Sequence, residues 1–144
     1  MASLGAVIAH EIGHAIQPGY SFPIRLGPDD QHLITRFQQC LQLTFIASGM
    51  TAQRSVITLD ENWADAIAFR TIERYLRGLG TVTAQDGTVL LFQTYCAAGH
   101  PPFTPLSQDP HGSSHARIDA TGKSSVGFYS IFDCVPDKQR ICGI

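Results

Sequence analysis

The sequence predicts a mainly α-helical fold with one long loop before the last helix, and three observations carry that prediction. Apolar residues recur at helical spacing, as in Leu33, Phe37, Leu41 and Phe45, which step by four. Proline and glycine punctuate the periodic stretches, at Pro18-Gly19, between Pro23 and Pro28, and at Gly78 and Gly80. A composition of 44% hydrophobic and 15% charged residues suits one globular domain over residues 1–144, able to bury roughly two thirds of its unfolded surface.

Residues 2–16 have Ser3 as an N-cap and an aliphatic body stopped by Pro18-Gly19, the pattern of a buried first helix. Residues 20–30 read as a loop, after which Asp29 or Asp30 caps a second helix reaching about Ser48. A turn over Gly49 to Thr58 leads to a third helix, about Asp60 to Leu79, closed by its glycines. Gln85-Asp86-Gly87 reads as a turn, and residues 88–99 as a fourth helix with Phe92 and Tyr95 on its buried face. Pro101, Pro102, Pro105 and Pro110 make the segment from Gly99 to Lys123 the long loop, with no regular structure expected in it. A last short helix, about Ser124 to Cys134, turns Phe128, Ile131 and Phe132 inward.

Charge narrows the function classes. Ten Lys and Arg against twelve Asp and Glu leave a net charge of −2 and no basic stripe for phosphates, so no nucleic-acid partner is expected. No apolar run approaches the roughly 20 residues that cross a bilayer. The apolar N-terminus lacks a basic flank and runs directly into His10, so it reads as helix rather than as a removable signal. Cys40, Cys96, Cys134 and Cys142 contain no CxxC pair, which disfavours a cysteine metal site and permits a disulfide framework with three possible pairings.

The chemistry concentrates in His10-Glu11-Ile12-Gly13-His14, an HExxH motif. On a helix, side chains at i and i+4 project from one face, one turn apart, so His10 and His14 can hold a single metal ion, for which neutral imidazoles suit zinc. Glu11 lies beside that face, placed to take a proton from water at the metal. With six His and three Glu in the composition, a chance HExxH arises in roughly one such chain in two hundred. A catalytic zinc takes three protein ligands and keeps a fourth position open. The candidates for the third are His32, His100, His111, His115, Glu61 and Glu73. Glu61 is the best choice: it opens a helix in Glu61-Asn62-Trp63-Ala64-Asp65, and Asp65, one turn on, can accept the second ring N–H of a ligating His.

These segments, Val7 to His14 and Glu61 to Asp65, resemble the neprilysin and endothelin-converting-enzyme family of gluzincins. Asp109-Pro110-His111, with Arg117 six residues after the His, is similar to that family's DxH segment and its downstream arginine, and the likeness runs through Phe128, Phe132, Cys134 and Cys142. The resemblance implies the helical C-terminal catalytic lobe of a zincin-type metallopeptidase with one Zn2+, cleaving peptides outside the cell or at its surface. It implies that His111 stabilises the oxyanion, that Arg117 holds a substrate carbonyl and that Asp65 orients His10. It further implies a Cys40–Cys142 disulfide, with Cys96 and Cys134 pairing to a region absent here; closing a loop of about 100 residues stabilises by roughly 4–5 kcal/mol in the chain-entropy model.

The chain also departs from the family. The N-terminal lobe that caps the catalytic part is absent, which reads as a fragment, a truncated product or a minimal paralogue. The acidic residue usual after the second zinc His is replaced around Ala15-Ile16-Gln17, Ala66-Ile67-Ala68 stands for an Asn-Gly-Gly run, and the tail ends Cys142-Gly143-Ile144 without its aromatic. The expected function is a zinc-dependent metalloendopeptidase, with a non-catalytic zinc-binding module as the alternative.

Overall fold

The computed structural model describes residues 2–17, 27–97 and 111–143. Of these, 77% are helical, and no strand occurs among them. Seven helices follow in order: α1 (Ala2–Ala15), α2 (Pro28–Ala47), α3 (Ala52–Ile57), α4 (Leu59–Arg77), α5 (Thr81–Ala97), α6 (Ser114–Lys123) and α7 (Val126–Phe132).

α4 is the axis, and every other helix touches it. Its start is set by Thr58 as N-cap with Asp60 and Glu61 in the first turn, where carboxylates complement the helix dipole, and Gly78 closes it. Trp63 and Ala66 pack with Phe37, Leu41 and Cys142 on the α2 side, whereas Phe69 packs with Ala6 of α1 and Leu91 of α5. The Phe69 and Phe92 rings stack 5.4 Å apart. Cys40 and Cys142 form a disulfide with Cα atoms 5.5 Å apart, fastening the tail to α2. Arg70 reinforces the joint, its guanidinium over the Phe37 ring and donating to the carbonyls of Ser124 and Cys142.

Several boundaries differ from the sequence expectation, each for a physical reason. α1 begins at Ala2, so Ser3 lies inside the helix instead of capping it. α2 begins at Pro28, proline being tolerated in a first turn that needs no N–H, and Asp30 Oδ2 accepts from Gly27 N at 3.3 Å. The segment from Gly49 to Thr58 contains α3, capped by Thr51 Oγ1 accepting from Arg54 N. Gln85-Asp86-Gly87 is no turn: it lies within α5, where Gly87 lets the Leu76 side chain of α4 come so near that a Cβ would sit 2.7 Å from it. Residues 114–123 are not loop but α6, because Ser113 Oγ caps Ala116 N at 3.2 Å and Ala116 and Ala120 bury against Phe45 and Met50. α7 stops at Phe132, where Asp133 turns left-handed at φ 51°. Ile131 is buried, and Phe128 and Phe132 pack against the core. Pro18-Gly19, the prolines at 101–110, His100 and Asp109, with the side chains of Tyr95 and Cys96, lie outside the described residues. Cys134 is a free, exposed thiol.

α1 is the largest departure. It buries only a narrow strip, Ala6 and Gly13 among it, while Leu4, Ile8 and Ile12 are 68%, 52% and 53% exposed.

Candidate metal centre

The centre is built where α1 crosses the start of α4. Gly13 makes the crossing close: a Cβ there would lie 2.9 Å from Ala64 Cα. Trp63 Nε1 donates to Gly13 O at 3.1 Å, and buried Gln17 donates to Asp60 Oδ1 at 2.5 Å, tying the end of α1 to the first turn of α4.

This crossing brings three ligand atoms into a small triangle. His10 Nε2 and His14 Nε2 are 3.1 Å apart, and Glu61 Oε2 lies 3.2 and 3.3 Å from them. Ligands about 2.0–2.2 Å from a tetrahedral ion are separated by about 3.3–3.6 Å, so the triangle, with edges of 3.1, 3.2 and 3.3 Å, is close to one face of such a polyhedron. Among the described residues, His10, His14 and Glu61 are the group able to hold a metal. Glu61 Oε2 is buried among the ring nitrogens of His10, His14 and His111, which lie 3.2, 3.3 and 2.9 Å away. The imidazoles of His10 and His111 beside Glu61 hold its carboxyl well below the usual carboxylate range.

Behind the triangle, Asp65 Oδ1 faces His10 Nδ1 at 2.9 Å, which turns Nε2 towards the ligand face. Asp65 is fully buried, and Arg117 grips it twice, Nε to Oδ2 and Nη2 to Oδ1, each at 2.7 Å. Burial alone would raise the Asp65 carboxyl; the Arg117 bonds, then His10, outweigh it and hold it low. For His10 burial works against the charged form, but Asp65 and then Glu61 push the imidazole up to about 9 without metal.

His111 Nε2 lies 2.9 Å from Glu61 Oε2, its ring centroid 6.0 Å from that of His10, so it stands beside the triangle rather than in it. Glu11 is exposed and borders a cleft of about 180 Å³ together with His10, His111, Arg117 and Val7. All seven residues singled out in the sequence for metal, proton transfer and substrate therefore surround one place. Arg117 differs from its expected setting: it is 8% exposed and its fork is engaged by Asp65. A larger cleft of about 470 Å³, lined by Met50, Arg54, Ile57, Ser113 and Ala116, contains none of the ligand triangle, so size does not mark the centre.

Three contributors escaped sequence reasoning: Gly13 as a spacer, Gln17 as a tie to α4, and Arg54, whose Nη2 donates to His111 O at 2.9 Å. The glycine inside HExxH was a visible signal for the first; the others act across long sequence separations. Compared with known proteins, the chain matches no protein-family model, no curated protein and no solved structure.

Proposed function

We propose that this chain is the helical catalytic lobe of a neprilysin-like zinc metalloendopeptidase. The observation that carries the reading is the His10, His14 and Glu61 triangle, with Asp65 behind it and Glu11 exposed beside it on one cleft. Two imidazoles and a carboxylate are a donor set suited to catalytic zinc, which in such a site supplies Lewis acidity and favours ionisation of water. The chain's own residues do the rest. Glu11 takes a proton from the attacking water and returns it to the departing amine; His111 donates to the oxygen of the peptide carbonyl as charge develops there. Asp65 keeps the His10 ring in register, and Arg117 fixes Asp65 while bordering the substrate side of the cleft. The Cys40–Cys142 disulfide supports an extracellular or cell-surface setting. The exposed aliphatic strip on α1 is a surface of the chemistry that a covering lobe would need.

A second reading, a non-catalytic zinc-binding module, is favoured by the size of the cleft. At about 180 Å³ it falls below the roughly 300–1,000 Å³ of usual ligand sites. Hydrolysis of a fluorogenic peptide library by the zinc-loaded protein and by Glu11→Gln at matched zinc content separates the two. Cleavage by the unchanged protein alone supports the peptidase; bound zinc without cleavage in either supports the module.

A further inference from the structure

We propose that Arg54 is a positioning residue for His111, holding the main chain from α3 so that the imidazole meets Glu61 and the ligand triangle. The inference rests on the peptidase reading for its catalytic consequence, but its structural content is independent of it.

Residue 111 precedes α6 and has no helical ladder of its own: α6 begins at Ser114. Among the described residues, two features bear on its orientation. Arg54 Nη2 donates to His111 O at 2.9 Å, restraining the main chain whose imidazole reaches Glu61 Oε2 at 2.9 Å. At the next residue the Met50 side chain closes in, its Cε lying where a Cβ on Gly112 would come within 2.4 Å. Both restraints arise from the same short stretch, residues 50–54.

That stretch is anchored to the helix that carries Glu61. Thr58 Oγ1 donates to Arg54 O at 3.0 Å, with Met50 Sδ 3.4 Å away, and accepts at 3.0 Å from Nδ2 of Asn62, the residue next to Glu61. Thr58 and Asn62 are fully buried, so this linkage is shielded from water. The bracket Asn62, Thr58, Met50, Arg54 therefore gives His111 and Glu61 a common reference, although 50 residues separate them in the chain. An arginine suits the task because its planar fork donates to a carbonyl at fixed geometry and stays charged at any working pH.

The test compares the zinc-loaded protein with Arg54→Ala and Arg54→Lys. In Arg54→Ala, exchange of the Ala116 and Arg117 amides, which donate to Ser113 at the start of α6, should rise about tenfold or more, and ring-proton contacts between His111 and His10 should vanish from NMR spectra. Zinc content should stay unchanged. With a fluorogenic peptide, kcat should fall about 10–100-fold at unaltered KM, the usual penalty for a displaced catalytic group. Arg54→Lys, which keeps a cationic donor, should recover part of both readouts; if Arg54→Ala does not fold, Arg54→Met, which keeps the length of the side chain without its donor, takes its place and is read by the same measures. A folded Arg54→Ala with unchanged exchange and unchanged His111 contacts overturns it. If the unchanged protein cleaves no peptide, the NMR and exchange arms still decide the positioning role, and the peptidase reading alone fails.

Discussion

α1 and α4 each contribute two residues, one turn apart, to the candidate metal centre, yet they are opposite kinds of helix. α1 is aliphatic and mostly exposed; α4 carries Asp60, Glu61, Asp65, Arg70, Glu73, Arg74 and Arg77 and is the most enclosed element of the molecule. Position in the topology decides this. α4 lies against every other described helix, so three of its polar residues are buried, and each finds a partner: Asn62 with Thr58, Asp65 with Arg117 and His10, Glu73 with Ser125 and Arg77. α1 rests on α4 and α5 along one strip. Burial on α4 is sustained by paired charge, and exposure on α1 is tolerated by apolar surface.

The sharpest way to break the comparison is Asp65→Ala. It leaves the Arg117 guanidinium buried without its counter-charge and His10 without its acceptor, so unfolding free energy should drop by about 3–5 kcal/mol in a urea titration. A loss under about 1 kcal/mol would mean that Arg117 escapes to water and that α4 does not depend on its buried pair.

The second prediction concerns pH and metal together. The folded-state pKa of His10 is raised from 6.5 to about 9, so its contribution to the metal-free protein is full below 6.5 and is lost as pH rises through 9, by at most about 3 kcal/mol. Asp65 and Glu61 are shifted down, so theirs is present above the unfolded carboxylate value and lost as pH falls below it. The three shifts report one network and do not add. The thermal stability of metal-free protein should therefore fall on both sides of a plateau between the unfolded carboxylate value and about pH 6.5. Zinc requires a neutral imidazole and replaces the proton on His10, so loading should remove the alkaline decline and release protons on binding. An alkaline decline of equal size in the zinc-loaded protein would place the metal elsewhere.

Gly13→Ala probes the seam between the two helices. The added methyl would sit 2.9 Å from Ala64 Cα, a backbone atom that cannot rotate away. Overpacking of this kind costs about 1–3 kcal/mol, and separating His10 and His14 from Glu61 should weaken zinc binding about tenfold or more against a competing chelator. Unchanged affinity would show that the triangle tolerates a wider crossing.

What could be read from sequence follows the same division. His10, His14, Glu61 and Asp65 were legible because each pair is one helical turn apart, and spacing survives in the sequence whether the helix is exposed or buried. α4 was legible from its first-turn acids and terminal glycines. The exposure of α1 was not, because an aliphatic run reports affinity for a core and not whether a core is offered. α6 was hidden by the prolines before it, and α3 by having only six residues. Arg117, on α6, drew notice only through family resemblance, and His111, one of six candidate third ligands by residue type, was given its role only there. Arg54 left no trace, because it recognises a main-chain carbonyl that any residue at position 111 would present.

The smallest expected effect is on the exposed strip. Leu4 and Ile12 already face solvent, so Leu4→Gln and Ile12→Gln forfeit little burial, and Gln is no worse a helix former than Ile. Each should change stability by less than about 0.5 kcal/mol and leave zinc affinity untouched, the reverse of Asp65→Ala on the neighbouring helix. Chemical denaturation at two protein concentrations makes the contrast decisive. A loss above about 1 kcal/mol that grows with concentration would show the strip buried between molecules, and α1 would then join α4 as an enclosed helix whose cover lies outside its own fold.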